Sequence, residues 1–256
     1  MNIYKIFILS FLLAPFCSIS QVKNNSINFS IGYGINTYSM GSLNHFYVDS
    51  FAMKSGIDLL QSYVKKGDEF YLSFSFQLNN HFDIGINGSY QYGKSNSKPI
   101  FTESDDYGFP IKDHCGSFEL RTEAVSVGIS GTWYIDALLK WQEKETTLNK
   151  LHFGVEVNGG IGFSKAIIDM RYPTIPEGYF YEFFTSKDFQ GQLGIKAEYD
   201  IIQSPIFTTL GIRLGYQYFR TKPLINRNEI TWEINNEKIN LDFSGFYFGT
   251  YLKIGK

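Results

Sequence analysis

Two cysteines, four histidines and 19% charged residues are all that a chain of 256 amino acids offers to metal, redox or ionic chemistry. Cys17 falls in the N-terminal leader described below, so Cys115 alone would remain in the mature chain. A single thiol makes no internal bridge, which excludes a disulfide framework. His45, His81, His114 and His152 are scattered, and no spacing with Cys, Asp or Glu matches a metal site. Cys115 beside His114 supplies too few ligands. The net charge of -2 excludes the basic footprint of a nucleic-acid binder. Past the leader, no run approaches the ~18 apolar residues of a membrane-spanning helix. Glycine-rich phosphate loops are missing too, since the glycines sit within strand patterns. No cofactor, metal or catalytic residue is expected.

What the chain has in quantity is 24 Phe, 18 Tyr and 24 Gly. Tyr and Phe suit pleated structure, and Gly marks bends and close backbone approach. Residues 1–20 read as a signal peptide. Lys5 supplies the positive start, an apolar run over 6–16 is broken only by Ser10 and Pro15, and Ser18-Ile19-Ser20 precedes a cut before Gln21. The run is too short to span a bilayer as a helix. A lipidated Cys17 is disfavoured by bulky Phe16 before it. Residues 21–256 would then form the exported domain.

That domain alternates with period two. Ile27, Phe29, Ile31, Tyr33 and Ile35 share one face, against Asn28, Ser30, Gly32, Gly34 and Asn36. Such alternation predicts a strand with one apolar and one polar face. The pattern recurs around residues 70–78, 82–90, 125–135, 151–161, 189–199, 210–218 and 246–254, which makes eight strands. Each reaches the ~9–11 residues of a membrane-crossing strand. The polar faces are mostly Gly, Ser, Asn and Thr, whereas a soluble sandwich would expose Lys, Glu and Arg. The fold expected is all-β: an eight-stranded antiparallel up-and-down transmembrane barrel, with long extracellular loops, apolar outside and polar within.

The connections alternate in length: long at 41–68, 94–117, 165–187 and 221–240, shorter at 79–81, 142–150 and 203–204. Outer-membrane barrels pair long outer loops with short periplasmic turns, and an even strand count puts both termini in the periplasm. A two-residue turn at 203–204 would set Gly194 against Arg213 and Lys196 against Gly211. A three-residue turn at 79–81 would set Leu78 against Phe82 and Gln77 against Asp83. Met53, Ile57, Leu60 and Val64 follow helical spacing within the first long loop. Ile230, Trp232 and Ile234, then Asn235-Asn236, then Ile239 and Leu241 read as an extracellular hairpin, too short to count as a ninth strand. A bulge near Ser244-Gly245 reconciles its parity with the last strand.

With eight strands the interior is just wide enough for side chains to fill, so a packed lumen is expected. Glu156, Lys196, Glu198 and Arg213 share the inward faces of three consecutive strands. Buried charges need partners, and two acids with two bases suit an ion-pair network.

At the C-terminus Gly249, Leu252 and Ile254 have the spacing Gly-x-x-apolar-x-apolar, followed by Gly255 and Lys256. This resembles the terminal signal that barrel-assembly machinery reads on outer-membrane proteins, though the usual signal ends in an aromatic residue. With the leader, the Asn- and Tyr-rich strands and the strand count, the chain resembles the Bacteroidetes-type outer-membrane barrels, the OmpA-like and PorT-like "porin family". The resemblance implies an eight-stranded barrel in the cell outer membrane of a Gram-negative bacterium. It implies outer-membrane lipid and the assembly machinery as partners, and no catalytic residues.

Enzyme readings rest on Asp105-Asp106, Asp113-His114 and His114 with Ser117, which lie in one loop. Membrane-barrel proteases and deacylases use such groups, but the proteases resemble longer, ten-stranded barrels, and such groups are common by chance in polar loops. The remaining candidate is a contact patch of Tyr179, Phe180, Tyr181, Phe183 and Phe184, facing an extracellular protein or glycan. Three functions follow: a structural or interaction barrel working through its outer loops, a narrow channel for small solutes, or a soluble periplasmic barrel with an apolar ligand inside.

Overall fold

A computed structural model describes residues 26–48, 63–79, 81–98, 100–104, 110–135, 150–172, 178–202 and 207–255. The leader at 1–20 and the helical spacing at 53–60 therefore lie outside the described residues. The strands are β1 (Ile27–Thr37), β2 (Lys66–Asn79), β3 (Phe82–Ser97), β4 (Ile100–Ser104), β5 (Pro110–Cys115), β6 (Ser117–Tyr134), β7 (Leu151–Arg171), β8 (Tyr179–Ile202), β9 (Phe207–Tyr218), β10 (Glu233–Ile234), β11 (Glu237–Lys238) and β12 (Gly245–Gly255). Eight of them close a barrel in the order β1-β12-β9-β8-β7-β6-β3-β2. Each wall strand pairs antiparallel with its neighbours, and β1 against β12 makes the seam. Closure gives every wall strand two partners, which a strand needs where no water reaches its amides. Among the described residues no helix is long and apolar enough to cross a membrane.

Alternation decides which way each residue looks. On β1 the apolar members Ile27, Phe29, Ile31, Tyr33 and Ile35 are exposed, while Asn28, Ser30 and Asn36 are buried. The other walls repeat this, and Ile129 of β6, midway between Val125 and Trp133, reaches 67% exposure. The exterior is aliphatic at mid-height, with Leu72, Ile86, Leu193 and Ile212. Rings gather at both ends: Phe29, Trp133, Phe153 and Tyr199 towards the turns, Phe70, Tyr90, Phe163 and Tyr216 towards the loops. From Phe153 to Phe163 about ten residues climb at ~3.3 Å each under a tilt of ~40°, giving a belt of ~25 Å. That is the height of a bilayer's apolar layer. These faces overturn the soluble barrel with an apolar ligand inside, because its lipid-like surface would stand in water.

Walls differ in height. β7 and β8 have 21 and 24 residues, against 11 in β1. The segment 165–187, expected as a long loop, is strand up to Arg171 and again from Tyr179. Similarly, 94–117 holds the β4–β5 hairpin rather than open loop. A six-residue π-helical turn, Leu43–Val48, follows β1.

Both tight turns correct the expected register. Gln77 does pair with Asp83, but Phe82 faces Asn79, with a bulge that skips Leu78. The Asn79 side chain accepts the His81 N–H at 2.8 Å and so closes the turn. Between β8 and β9, Gly194 faces Gly215 and Lys196 faces Arg213, two residues away from the expected pairing. A further shift lies between Asp200 and Ile202, and Ile202 faces Thr208, so the connection is longer than two residues. An even slip leaves every side chain on its own face, which is why alternation alone missed it.

Candidate functional site

The interior fills in tiers from the turn end upward. The lowest tier joins Lys253 to Glu198 at 3.1 Å and to Asp83 at 3.4 Å. Lys196 reaches Glu198 at 3.2 Å, while the Tyr251 hydroxyl donates to the same carboxylate at 2.6 Å. Tyr134 lies among them, accepting from Lys253 at 2.9 Å.

Above it, Arg213 bonds Glu69 at 2.6 Å and stands 3.7 Å from Glu156. The guanidinium also lies 4.0 Å from the Tyr71 ring and 4.9 Å from the Tyr247 ring. One rung of the sheet explains the reach. Arg213 faces Gly249, Gly249 faces Gly34, and Gly34 faces Glu69. Two residues without side chains leave the lumen open between acid and base. A Cβ on Gly34 would come 2.6 Å from the Phe248 carbonyl, so this approach needs glycine.

The four predicted lumen residues are thus brought together, as two linked pairs inside a larger network. Sequence reasoning missed Glu69 because the second strand was begun at Phe70. Asp83 and Lys253 also alternate onto inward faces, and neither is among the four predicted residues. Four carboxylates, Glu69, Asp83, Glu156 and Glu198, therefore meet three cations, Lys196, Arg213 and Lys253.

An amide tier comes next. Gln217 exchanges hydrogen bonds with Gln91 at 2.7 and 3.1 Å and accepts from Gln192 at 2.8 Å. Asn158 ties Gln192 to Glu156, donating at 2.9 and 2.6 Å. Among the charged tiers lies a cavity of about 20 Å³. Another of about 10 Å³ lies beside the amides. A volume of this size holds about one water.

At the loop end the inward face turns apolar. Phe118 and Leu120 of β6, Ile168 of β7 and Phe184 of β8 are buried there. Onto them pack Met40 and Leu43 from the segment after β1, and Phe219, Leu224, Ile239, Leu241 and Phe243 from the segment between β9 and β12. Phe219 stacks on Phe243 at 5.4 Å, and Phe184 stacks on Trp232 at 4.1 Å. The expected 230–241 hairpin exists as β10 and β11, but Trp232, Ile234, Ile239 and Leu241 fold into the barrel mouth while Ile230 stays exposed. Asn235 and Asn236 turn it with φ of 52° and 66°.

The proposed contact patch divides, because 179–184 is strand. Tyr179, Phe180 and Tyr181 are exposed, Phe183 is half-buried, and Phe184 belongs to the apolar cap. Gly249 faces the lumen, while Leu252 and Ile254 look outward, paired with Ile31 and Phe29. Asp105 and Asp106 lie outside the described residues. Asp113 and His114 are on β5, facing Thr102 and Phe101 in the hairpin ladder. Among the described residues no group of three His, Cys, Asp or Glu could hold a metal.

Outside the belt, near the loop end, Glu119 takes Lys94 at 2.6 Å and Arg121 at 2.5 Å. Burial alone would push the Glu119 carboxyl up, but hydrogen bonds from Lys94 and Arg121 outweigh it and hold it below the usual carboxylate range. A cleft of about 730 Å³ opens here, lined by Asn96, Lys98, Glu119, Asp169 and Arg171 among others.

No family model matches the chain, and no curated protein matches it. Solved structures do. The attachment invasion locus protein Ail of Yersinia pestis is 13% identical, over 91% of this chain and 97% of that one, with a TM-score of 0.34. A major outer membrane protein of Thermus thermophilus is 10% identical, over 90% and 98%, with a TM-score of 0.40. The outer membrane protease OmpT of Escherichia coli is 10% identical, over 93% and 98%, with a TM-score of 0.31.

Proposed function

We propose that the chain is an integral outer-membrane barrel that conducts no solute and acts through the surface it raises outside the cell. The carrying observation is the filled interior. Two ionic tiers, an amide tier and an apolar cap follow one another, and a cavity among the charged tiers measures about 20 Å³. A solute would have to break buried ion pairs and then part a tightly packed, mainly apolar cap, which is costly at both steps.

The turn end, where β1 begins and β12 ends, is the periplasmic end in this reading, and the tall β6–β7–β8 wall stands in the medium. Exposed Tyr179 and Tyr181 and the 730 Å³ cleft make that wall the contact surface. Tyrosine suits such a surface, offering apolar area with a polar tip. Its partner would be a protein or glycan outside the cell. The Asn- and Tyr-rich strands support placing the chain among the Bacteroidetes-type barrels, and the terminal Leu252 and Ile254 on the lipid face support a role in insertion.

Planar-bilayer recording tests the closed lumen. Purified protein should give no reproducible open steps above the lipid baseline. Regular steps would overturn the reading and favour the narrow channel.

A further inference from the structure

The loop end carries two kinds of rim. On the β3–β6 side and at the tip of β7, cations have acids: Lys94 and Arg121 on Glu119, and Arg171 on Asp169. Along β7 and β8 that pairing stops. Lys165 and Lys187 occupy the outward positions one step beyond Phe163 and Phe189, where the apolar belt ends. Lys222 arrives from the segment after β9, which the Thr185–Ile225 bridge fastens beside β8. Among the described residues none of these three lysines is in an ion pair. Lys165 instead lies 4.6 Å from the Phe183 ring centre, with Arg227 4.4 Å from the same ring.

The three lysines open on one cleft of about 600 Å³. Its floor is Tyr90, Val125 and Phe163 of the belt, its edge Pro223 and Ile225, and Glu123 is the one acid in its lining. Three cations against one carboxylate leave an excess positive charge, at the depth where a lipid's headgroup meets its chains.

We propose that this cleft holds the phosphate-bearing headgroup of an outer-leaflet lipid, with an acyl chain laid down along Val125 and Phe163. Lysine ammoniums suit phosphate as point charges. Basic groups at a membrane surface attract anionic lipid. The apolar floor distinguishes such an occupant from a free anion, which would find no use for it. The inference rests on the membrane-embedded reading of the belt.

The test uses the full mature chain folded in detergent. Native mass spectrometry follows binding of a diphosphorylated lipid A, the same glycolipid without phosphates, and inorganic phosphate. The wild type should retain the phosphorylated lipid at least about tenfold more tightly than the dephosphorylated form, and should not retain inorganic phosphate. Lys165→Gln/Lys187→Gln/Lys222→Gln should lose that preference. The charge-matched Lys65→Gln/Lys66→Gln/Lys238→Gln should keep it. Equal binding by both triple variants would overturn the site. So would equal binding of the two lipids, or retention of inorganic phosphate in preference to lipid. Insertion into lipid vesicles is read separately by heat-modifiable migration. A wild type that never inserts fails the membrane reading itself, whereas an inserted protein blind to phosphate fails only this inference.

Discussion

Lys196 and Arg213 are direct cross-strand partners, two cations side by side on the inward face of the β8–β9 ladder. Their repulsion is offset because each turns to a different acid, Lys196 to Glu198 and Arg213 to Glu69. The arrangement is asymmetric. Glu198 also has Lys253 and the Tyr251 hydroxyl, whereas Arg213 is the cation bonded to Glu69 and the one nearest Glu156.

Arg213→Met should therefore cost about 3–5 kcal/mol, the penalty of stranding a buried charge. Lys196→Met should cost clearly less, since it removes a like-charge neighbour and leaves Glu198 served by Lys253. Urea unfolding in lipid vesicles, followed by tryptophan emission, checks the order. Equal losses would contradict the separate pairing.

The lipid face predicts a second contrast. Ile129→Lys, at mid-height on β6, should destabilise the inserted barrel by about 2–4 kcal/mol. Tyr181→Lys lies on the outward face of β8 above the belt, opposite Asp169, and should change stability by well under about 1 kcal/mol. The same unfolding assay reads both.

Phe243 is fully buried and stacked on Phe219, and it meets Tyr38 edge-on at 5.3 Å. Phe243→Ala should loosen the cap by about 3–5 kcal/mol. Protease added to intact vesicles should then cut within 219–244 faster than in the wild type. Bilayer conductance should stay at baseline, because the ionic tiers beneath are untouched.

Asn235 and Asn236 both hold positive φ in the β10–β11 turn. Asn235→Val places a branched side chain there at a cost of about 1–2 kcal/mol. Amide exchange should quicken at Ile234 and Glu237 without changing in the barrel walls, since β10 and β11 form a separate two-stranded sheet.

Glu119 gives the outer rim a pH dependence. Its folded pKa lies below its ordinary value, so the stabilisation is complete above that ordinary value and fades as pH falls through the lowered one. An NMR titration of the Glu119 carboxyl should show an acid-shifted midpoint in the wild type. Lys94→Gln/Arg121→Gln should move it up.

Much of the barrel was legible in the sequence because alternation is a strict local signal. It assigned Ile31, Leu72, Ile129 and Leu193 to the outside and Ser30, Asn87 and Gln192 to the inside, as the fold has them. Three things escaped it. The extra length of the β8–β9 connection shifts pairing by an even number, which parity cannot detect. The cap escaped because Phe118, Leu120 and Ile168 are apolar on the inward face, and their partners come from segments distant in the chain. Glu69 sits one residue outside the stretch that alternates clearly, and only the glycine rung brings it to Arg213.

The ring-bearing side of each strand meets lipid while the interior behind the belt stays polar. Spin labels placed singly along 124–133 of a Cys115→Ser protein in vesicles test it most directly. Collision with dissolved oxygen, which concentrates in the bilayer, should rise at Val125, Val127, Ile129 and Trp133 and fall at Ala124, Ser126, Ser130 and Thr132. A flat profile, or one with those two sets exchanged, would contradict it.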